Sequence, residues 1–278
     1  MYFDIAMPLT LFGVTMLSLF LNGKVEDKLH STLEEREFGT KDVVLLVGMM
    51  AVMISLMAVV RQLSLILTVL FMFAYSMILF IFTYLFSKNH WYVAAIPPAV
   101  FVLLYVFLRE TAAWTYVLSN VYGVIFAVLV TLYLSSLFTW KSTAIFGGLI
   151  TVLDMILVLV TGTMIQAANT ARSLSLPILV TVPRIPLVIT ENGLQPISLG
   201  LGDFFFAGLL SIQTFKKYGK KTGILSTAAM AVSFFIFEVL ILYFRIEFFP
   251  GTLMIICGWL PFVVPKALKK PTQPQVAP

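Results

Sequence analysis

From residue 5 to residue 265 the sequence is a succession of long apolar runs delimited by polar breaks. The runs fall near 5–22, 43–60, 63–87, 91–108, 114–138, 144–166, 197–215, 223–244 and 251–265. A helix of roughly 20 such residues, rising ~1.5 Å each, crosses the hydrocarbon core of a bilayer. The expected fold is therefore an all-α membrane protein, a bundle of nine helices. The second and third runs are divided only by Arg61-Gln62 and the ninth is short, so eight is the alternative count. Composition agrees: 11% of residues are charged, against roughly 25% in a soluble domain. Residues 1–278 read as a single integral membrane domain, with no room for a sizeable soluble one. The first run has no basic residue before it and no small-residue cleavage site after it, so it reads as a retained span.

The net charge of +5 comes from basic residues scattered between the apolar runs. They sit where membrane-flanking charges belong, which points to lipid headgroups as partners and away from nucleic acid. If the N-terminus is outside, segments 23–42, 88–90, 139–143, 216–222 and the tail are cytoplasmic and hold 13 of the 18 Lys and Arg residues. That bias favours N-terminus outside and C-terminus cytoplasmic. Cys257 is the only cysteine, and His30 and His90 lie far apart, so neither a disulfide nor a metal site is expected. No phosphate-cradling loop or dinucleotide fingerprint is present, and no cofactor is expected. Pro97-Pro98 should kink the fourth run, and the basic, proline-rich tail over 266–278 should be disordered.

Three acids fall inside apolar runs: Asp154, Asp203 and Glu238. Each costs roughly 2.5–3.5 kcal/mol at a helix centre, so an intramembrane acid is a functional candidate. Asp154 and Asp203 lie in consecutive runs, which should be antiparallel. Counted from the connection between them, their depths differ by only about 6 Å, so the carboxyls can meet. Two carboxyls in a low-dielectric site cannot both ionise easily; they share a proton and titrate as a unit. Such a pair supplies a general base for water and a general acid for the tetrahedral intermediate. On two acids alone an interhelical hydrogen bond or an ion path outweighs the protease reading. Glu238, six residues before the end of its run, reads as a structural acid. Gly200 and Gly202 strip side chains from beside Asp203, where another backbone could approach.

The segment Leu199-Gly200-Leu201-Gly202-Asp203-Phe204 resembles the Gly-x-Gly-Asp signature of the presenilin and signal peptide peptidase family, including its archaeal members. Leu176-Pro177-Ile178-Leu179-Val180-Thr181-Val182-Pro183 is similar to the proline-bounded stretch that precedes the motif there. The resemblance implies a nine-helix intramembrane aspartyl protease with catalytic acids in helices six and seven, where the run count puts Asp154 and Asp203. It implies no cofactor, and as partners the transmembrane segments of membrane proteins or remnant signal peptides, with type II substrates favoured by the orientation. Leu153 stands where the family usually has Tyr. The family's Pro-Ala-Leu is matched imperfectly, by Pro250-Gly251-Thr252-Leu253 on position or by Pro265-Lys266-Ala267-Leu268 on letters. The first is preferred, and the resemblance then places Pro250, Gly251, Thr252 and Leu253 beside the catalytic pair.

A helical substrate must unwind before water reaches its carbonyls, and added strand pairing would satisfy the freed backbone. Ile178 to Thr190 is rich in β-branched residues and suits an edge strand interrupted by Pro183 and Pro186. Ile185 and Leu187 are therefore expected, with Pro250 to Leu253, to flank substrate. A proton- or cation-coupled transporter, or a prepilin-peptidase-like protease, remains the alternative. The latter usually has Lys soon after its Asp, where Phe204-Phe205-Phe206 stands here.

Overall fold

A computed structural model of the chain describes residues 3–32, 37–59, 64–87, 90–187, 189–190, 193–246 and 248–268. Its helices are α1 (Ala6–Thr32), α2 (Thr40–Val59), α3 (Ser64–Phe86), α4 (Trp91–Ala94), α5 (Ile96–Leu108), α6 (Ser119–Leu137), α7 (Trp140–Met155) and α8 (Thr163–Ser173). After four short strands come α9 (Leu201–Tyr218), α10 (Lys220–Phe244) and α11 (Gly251–Leu268). π-helical turns precede α6 at Trp114–Leu118 and follow α7 at Ile156–Val160. Among the described residues, eight helical stretches are long and apolar enough to cross a membrane: Ala6–Glu26, Thr40–Met57, Leu65–Phe86, Trp91–Leu108, Trp114–Leu137, Trp140–Val160, Lys220–Phe244 and Gly251–Leu268.

The run near 197–215 is the one that departs. Residues Pro196–Gly200 form a strand, so the helix starts at Leu201, and with Asp203, Gln213, Lys216 and Lys217 it is too polar to count with the eight. Its position explains how it tolerates that polarity. α9 packs against α1, α6, α7, α10 and α11, and every residue from Phe204 to Thr214 is buried. A helix ringed by protein needs hydrogen-bond partners in place of a lipid-facing surface. Gln213 Nε2 donates to the carbonyls of Ser135 (3.0 Å) and Phe138 (2.7 Å), and Thr214 Oγ1 accepts from Trp259 Nε1 at 2.8 Å.

At the end of the bundle where α9 terminates, pairing also extends helices past their apolar runs. α1 continues to Thr32 because Asn22 and Glu26 are held: Ser135 Oγ donates to Asn22 Oδ1 (3.3 Å), and Lys216 Nζ lies 2.5 Å from Glu26 Oε1. Lys217 sits 4.2 Å over the Trp140 ring. These two lysines thus have structural partners as well as a flanking role. Only Gly219, at φ 85°, separates α9 from α10, and that left-handed value suits glycine. The 144–166 run breaks at Thr161-Gly162, and Pro97-Pro98 fall in the first turn of α5 after a break at Ala95. Amide donors are not needed in a first turn. Residues 266–268, expected in the tail, belong to α11, and 269–278 lie outside the described residues.

Small residues let the helices close up. A Cβ at Gly258 would stand 2.5 Å from the Ala229 carbonyl oxygen and 2.7 Å from Met230 Cα, both backbone atoms of α10. Gly258→Ala is expected to wedge α10 from α11 and destabilise by about 1–3 kcal/mol, as overpacking does. Thermal unfolding in detergent, with Gly13→Ala as the open-space comparison, reads this out; equal melting temperatures would refute the tight crossing.

At the opposite end lies the sheet. β1 (Leu179–Pro183) pairs antiparallel with β4 (Pro196–Gly200), Thr181 opposite Ser198, and β2 (Ile189–Thr190) pairs with β3 (Gly193–Leu194). The β-branched stretch does form a strand, and its partner is the run leading into the glycine motif. Val180 and Leu199 enter the core, while Thr181 and Ser198 share the other face, their hydroxyls 2.8 Å apart. Thr181 N–H donates to Asn120 Oδ1 (2.7 Å), so the outer edge of β1 is occupied by the start of α6. Side chains pin the segment before it: Trp114 Nε1 to the Ser175 carbonyl at 2.9 Å and Tyr105 hydroxyl to the Leu174 carbonyl at 2.8 Å.

Candidate active site

The glycine motif is the hinge between strand and helix. Leu201 N–H donates to the Ile178 carbonyl at 3.1 Å, the last rung of the β1–β4 ladder, and α9 begins at that residue. Gly200 is extended (φ −70°, ψ 147°) and caps the helix, which places Asp203 in the first turn. Its carboxyl reaches back to the Gly200 backbone, filling a donor that the helix start leaves unpaired. Leu201 packs its side chain into the core.

Asp154 arrives from α7, two residues before the helix loosens into its π-helical turn, a distortion often found at functional sites. Phe146 sets the packing of α7 on α9, its ring 5.8 Å from Phe205 and 6.3 Å from Phe206. Beyond that contact both acids project toward the start of α11. Asp154 Oδ2 accepts from Thr252 Oγ1 at 2.7 Å and from Thr252 N–H at 3.3 Å. Asp203 abuts the neighbouring residue: a Cβ at Gly251 would stand 2.5 Å from its Oδ1 and 2.8 Å from its Cγ. Two helices and the start of a third thus meet in one place.

Both carboxyls line one cavity of about 70 Å³, together with Gly200, Gly202, Leu153 and Thr252. A water needs roughly 10–15 Å³ of such space, so the cavity has room for several. Met50 and Ile54 of α2 complete its apolar wall, a contribution with no mark in the sequence. Among the described residues no three His, Cys, Asp or Glu side chains gather as a metal would require; the site offers a carboxyl pair.

Pro250 is buried immediately before α11, and Leu253 is half-buried one residue past Thr252. Pro265 lies inside α11 near its far end. The close backbone approach expected at Gly200 and Gly202 occurs instead at Gly251. Nothing stands within 4 Å of a Cβ at Gly202, and at Gly200 only Asp203 Oδ2 does, at 3.5 Å. Those two glycines hold space open beside Asp203. Ile185 and Leu187 are exposed and do not line the cavity. The Ile185 backbone is tied to the N-terminus, donating to Asp4 Oδ1 (2.6 Å) and accepting from Ile5 N–H (3.0 Å). Asp4 is fully buried and caps α1 through the Ala6 and Met7 N–H groups; its place near the chain start gave no signal of this role. Glu238 is 3% exposed, outside the carboxyl cavity, and interacts electrostatically with Asp4 and Arg184. The chain matches no protein-family model and no curated protein.

Proposed function

We propose that this chain is an intramembrane aspartyl protease of the presenilin and signal peptide peptidase type, with Asp154 and Asp203 as its catalytic pair. The observation that carries the reading is the convergence of both carboxyls on one cavity at Gly251-Thr252. On this reading α9 is a ninth crossing, the seventh in chain order, and passes through the bundle shielded by its neighbours. One carboxyl, ionised, takes a proton from water; the other, protonated, donates to the scissile carbonyl oxygen, giving a gem-diol intermediate. Proton return to the amide nitrogen then expels the amine. The space beside Gly200 and Gly202 accommodates the extended substrate. Ladder alternation points the Ser198 N–H and carbonyl away from β1, where an unwound substrate would pair with β4. Leu153 occupies the cavity wall where the family's Tyr would stand, so that position supplies no phenol. Glu238 lies apart from the cavity, so the three acids do not line one path, which favours the dyad over a proton or cation relay.

The test is cleavage of a panel of transmembrane peptides by the purified protein, with and without a transition-state aspartyl inhibitor, followed by mass spectrometry. Inhibitor-sensitive internal cuts are expected. Intact peptides across the panel, or cleavage indifferent to the inhibitor, would overturn the assignment.

The charge bias further orients the sheet end outside and residues 216–222 in the cytoplasm. In a Cys257→Ser background, cysteine at Gln195 should react with a membrane-impermeant maleimide on intact cells, and cysteine at Thr40 only after lysis. The reverse pattern would invert the topology and with it the preference for type II substrates.

A further inference from the structure

At the sheet end a second cavity, about 830 Å³, opens between the polar face of the β1–β4 sheet, the end of α8 and the turn that starts α6. It is separate from the carboxyl cavity and more than ten times larger. Its wall carries two guanidinium groups, Arg172 and Arg184, and among the described residues no carboxylate. Arg172 has one long contact, 3.4 Å from its Nη2 to Ser198 Oγ. Arg184 Nε is buried with no hydrogen-bond partner; Glu238 of α10, which interacts with it electrostatically and whose own carboxyl oxygens are buried without a hydrogen-bond partner, is not part of the wall. Leaving such a donor unpaired is costly, and a buried unpaired donor in a native fold points to a missing acceptor.

Three further features define what would supply it. The remaining polar wall is hydroxyl and amide, from Thr115, Ser119, Ser175, Thr181, Ser198 and Gln195, which suits a ligand with several oxygens. The volume matches an organic headgroup rather than a single ion. The height is that of the membrane surface, because the wall includes Trp114, where the span Trp114–Leu137 begins, and Tyr116, 75% exposed. Trp and Tyr concentrate at that depth.

We infer that this cavity binds the phosphate-ester headgroup of an anionic membrane lipid, with Arg172 and Arg184 forking the phosphate oxygens and the hydroxyl wall taking the headgroup's polyol. Guanidinium is suited to this because its planar donors pair two phosphate oxygens at once. The inference is independent of the proteolytic reading, since it concerns a different cavity and a binding event.

The experiment measures lipid retention by native mass spectrometry of purified protein exchanged from mixed phosphatidylglycerol and phosphatidylcholine vesicles into detergent. Retained phosphatidylglycerol is expected in excess of phosphatidylcholine. Arg172→Gln with Arg184→Gln should reduce that retention at least tenfold, with Arg172→Lys and Arg184→Lys intermediate and Arg109→Gln, outside the wall, unchanged. A thermal melt run beside each variant keeps loss of fold distinct from loss of binding; if the double glutamine variant does not fold, the lysine pair decides, and its retention at the parental level would overturn the inference. Glycerol phosphate and inorganic phosphate distinguish the sources. Weak competition by millimolar glycerol phosphate supports a lipid headgroup, whereas tight binding of inorganic phosphate without lipid retention would overturn the lipid assignment. Retention equal for both lipids would overturn it as well.

Discussion

Asp154→Asn and Asp203→Asn are each expected to yield a folded, membrane-inserted protein that no longer cleaves transmembrane peptides. The proposed chemistry needs one group that accepts a proton and one that donates it, and an amide does neither at the required point. Loss of a general acid or base costs roughly 10²–10⁴-fold, and removal from a pair acting as a unit falls at the upper end or below detection. Folding should survive because a carboxamide carries no charge into the bundle. In the Asp154→Asn variant the amide oxygen can still accept from Thr252, replacing the bonds of 2.7 and 3.3 Å that Asp154 Oδ2 makes. Initial rates with a fluorogenic transmembrane peptide, together with a thermal melt, check both halves. Turnover within tenfold of the parent in either variant would remove that acid from the mechanism.

Gly251→Ala is expected to lower turnover by about two orders of magnitude while leaving the fold assembled. The new methyl carbon would stand 2.5 Å from Oδ1, 2.8 Å from Cγ and 3.0 Å from Oδ2 of Asp203, distances that force displacement. The carboxyl cannot simply swing clear, because it sits in the first turn of α9 and bonds back to Gly200. Moving it by about 1 Å is enough, since misplacement on that scale can cost ~10²-fold. Thr252→Val, which keeps the shape but removes the hydroxyl donor to Asp154, should have a smaller effect, because the Thr252 N–H remains. Saturating-substrate rates separate the cases: Gly251→Ala should fall in kcat with KM little changed. If Gly251→Ala turns over like the parent, Asp203 is not held against α11 and the geometry proposed for the pair fails.

These expectations rest on contacts of unequal visibility in the sequence. The membrane class was legible because burial in lipid demands long uncharged runs, and eight of the nine runs reappear as helices long and apolar enough to span. The strand in Ile178–Thr190 was legible from its β-branched side chains, and β1 occupies Leu179–Pro183. The bounds of the run near 197–215 were not legible, because hydropathy cannot distinguish a strand feeding a helix from the helix itself. Its apolar residues Ile197 and Leu199 satisfy either.

What the sequence determined alone is which groups are out of place: three acids inside apolar runs, two of them in adjacent runs, each costly in lipid. The tertiary structure decided where those groups point. It put Asp154 and Asp203 on one cavity, set Gly251 against one carboxyl and Thr252 against the other, and left Glu238 elsewhere beside Asp4 and Arg184. It also moved the need for glycine from Gly202, which faces open space, to Gly251. The physical reason is range. Hydropathy and β-propensity act between a residue and its solvent or its immediate chain neighbours. A close approach between residues 203 and 251 depends on how helices pack, and packing is set by contacts far apart in the chain.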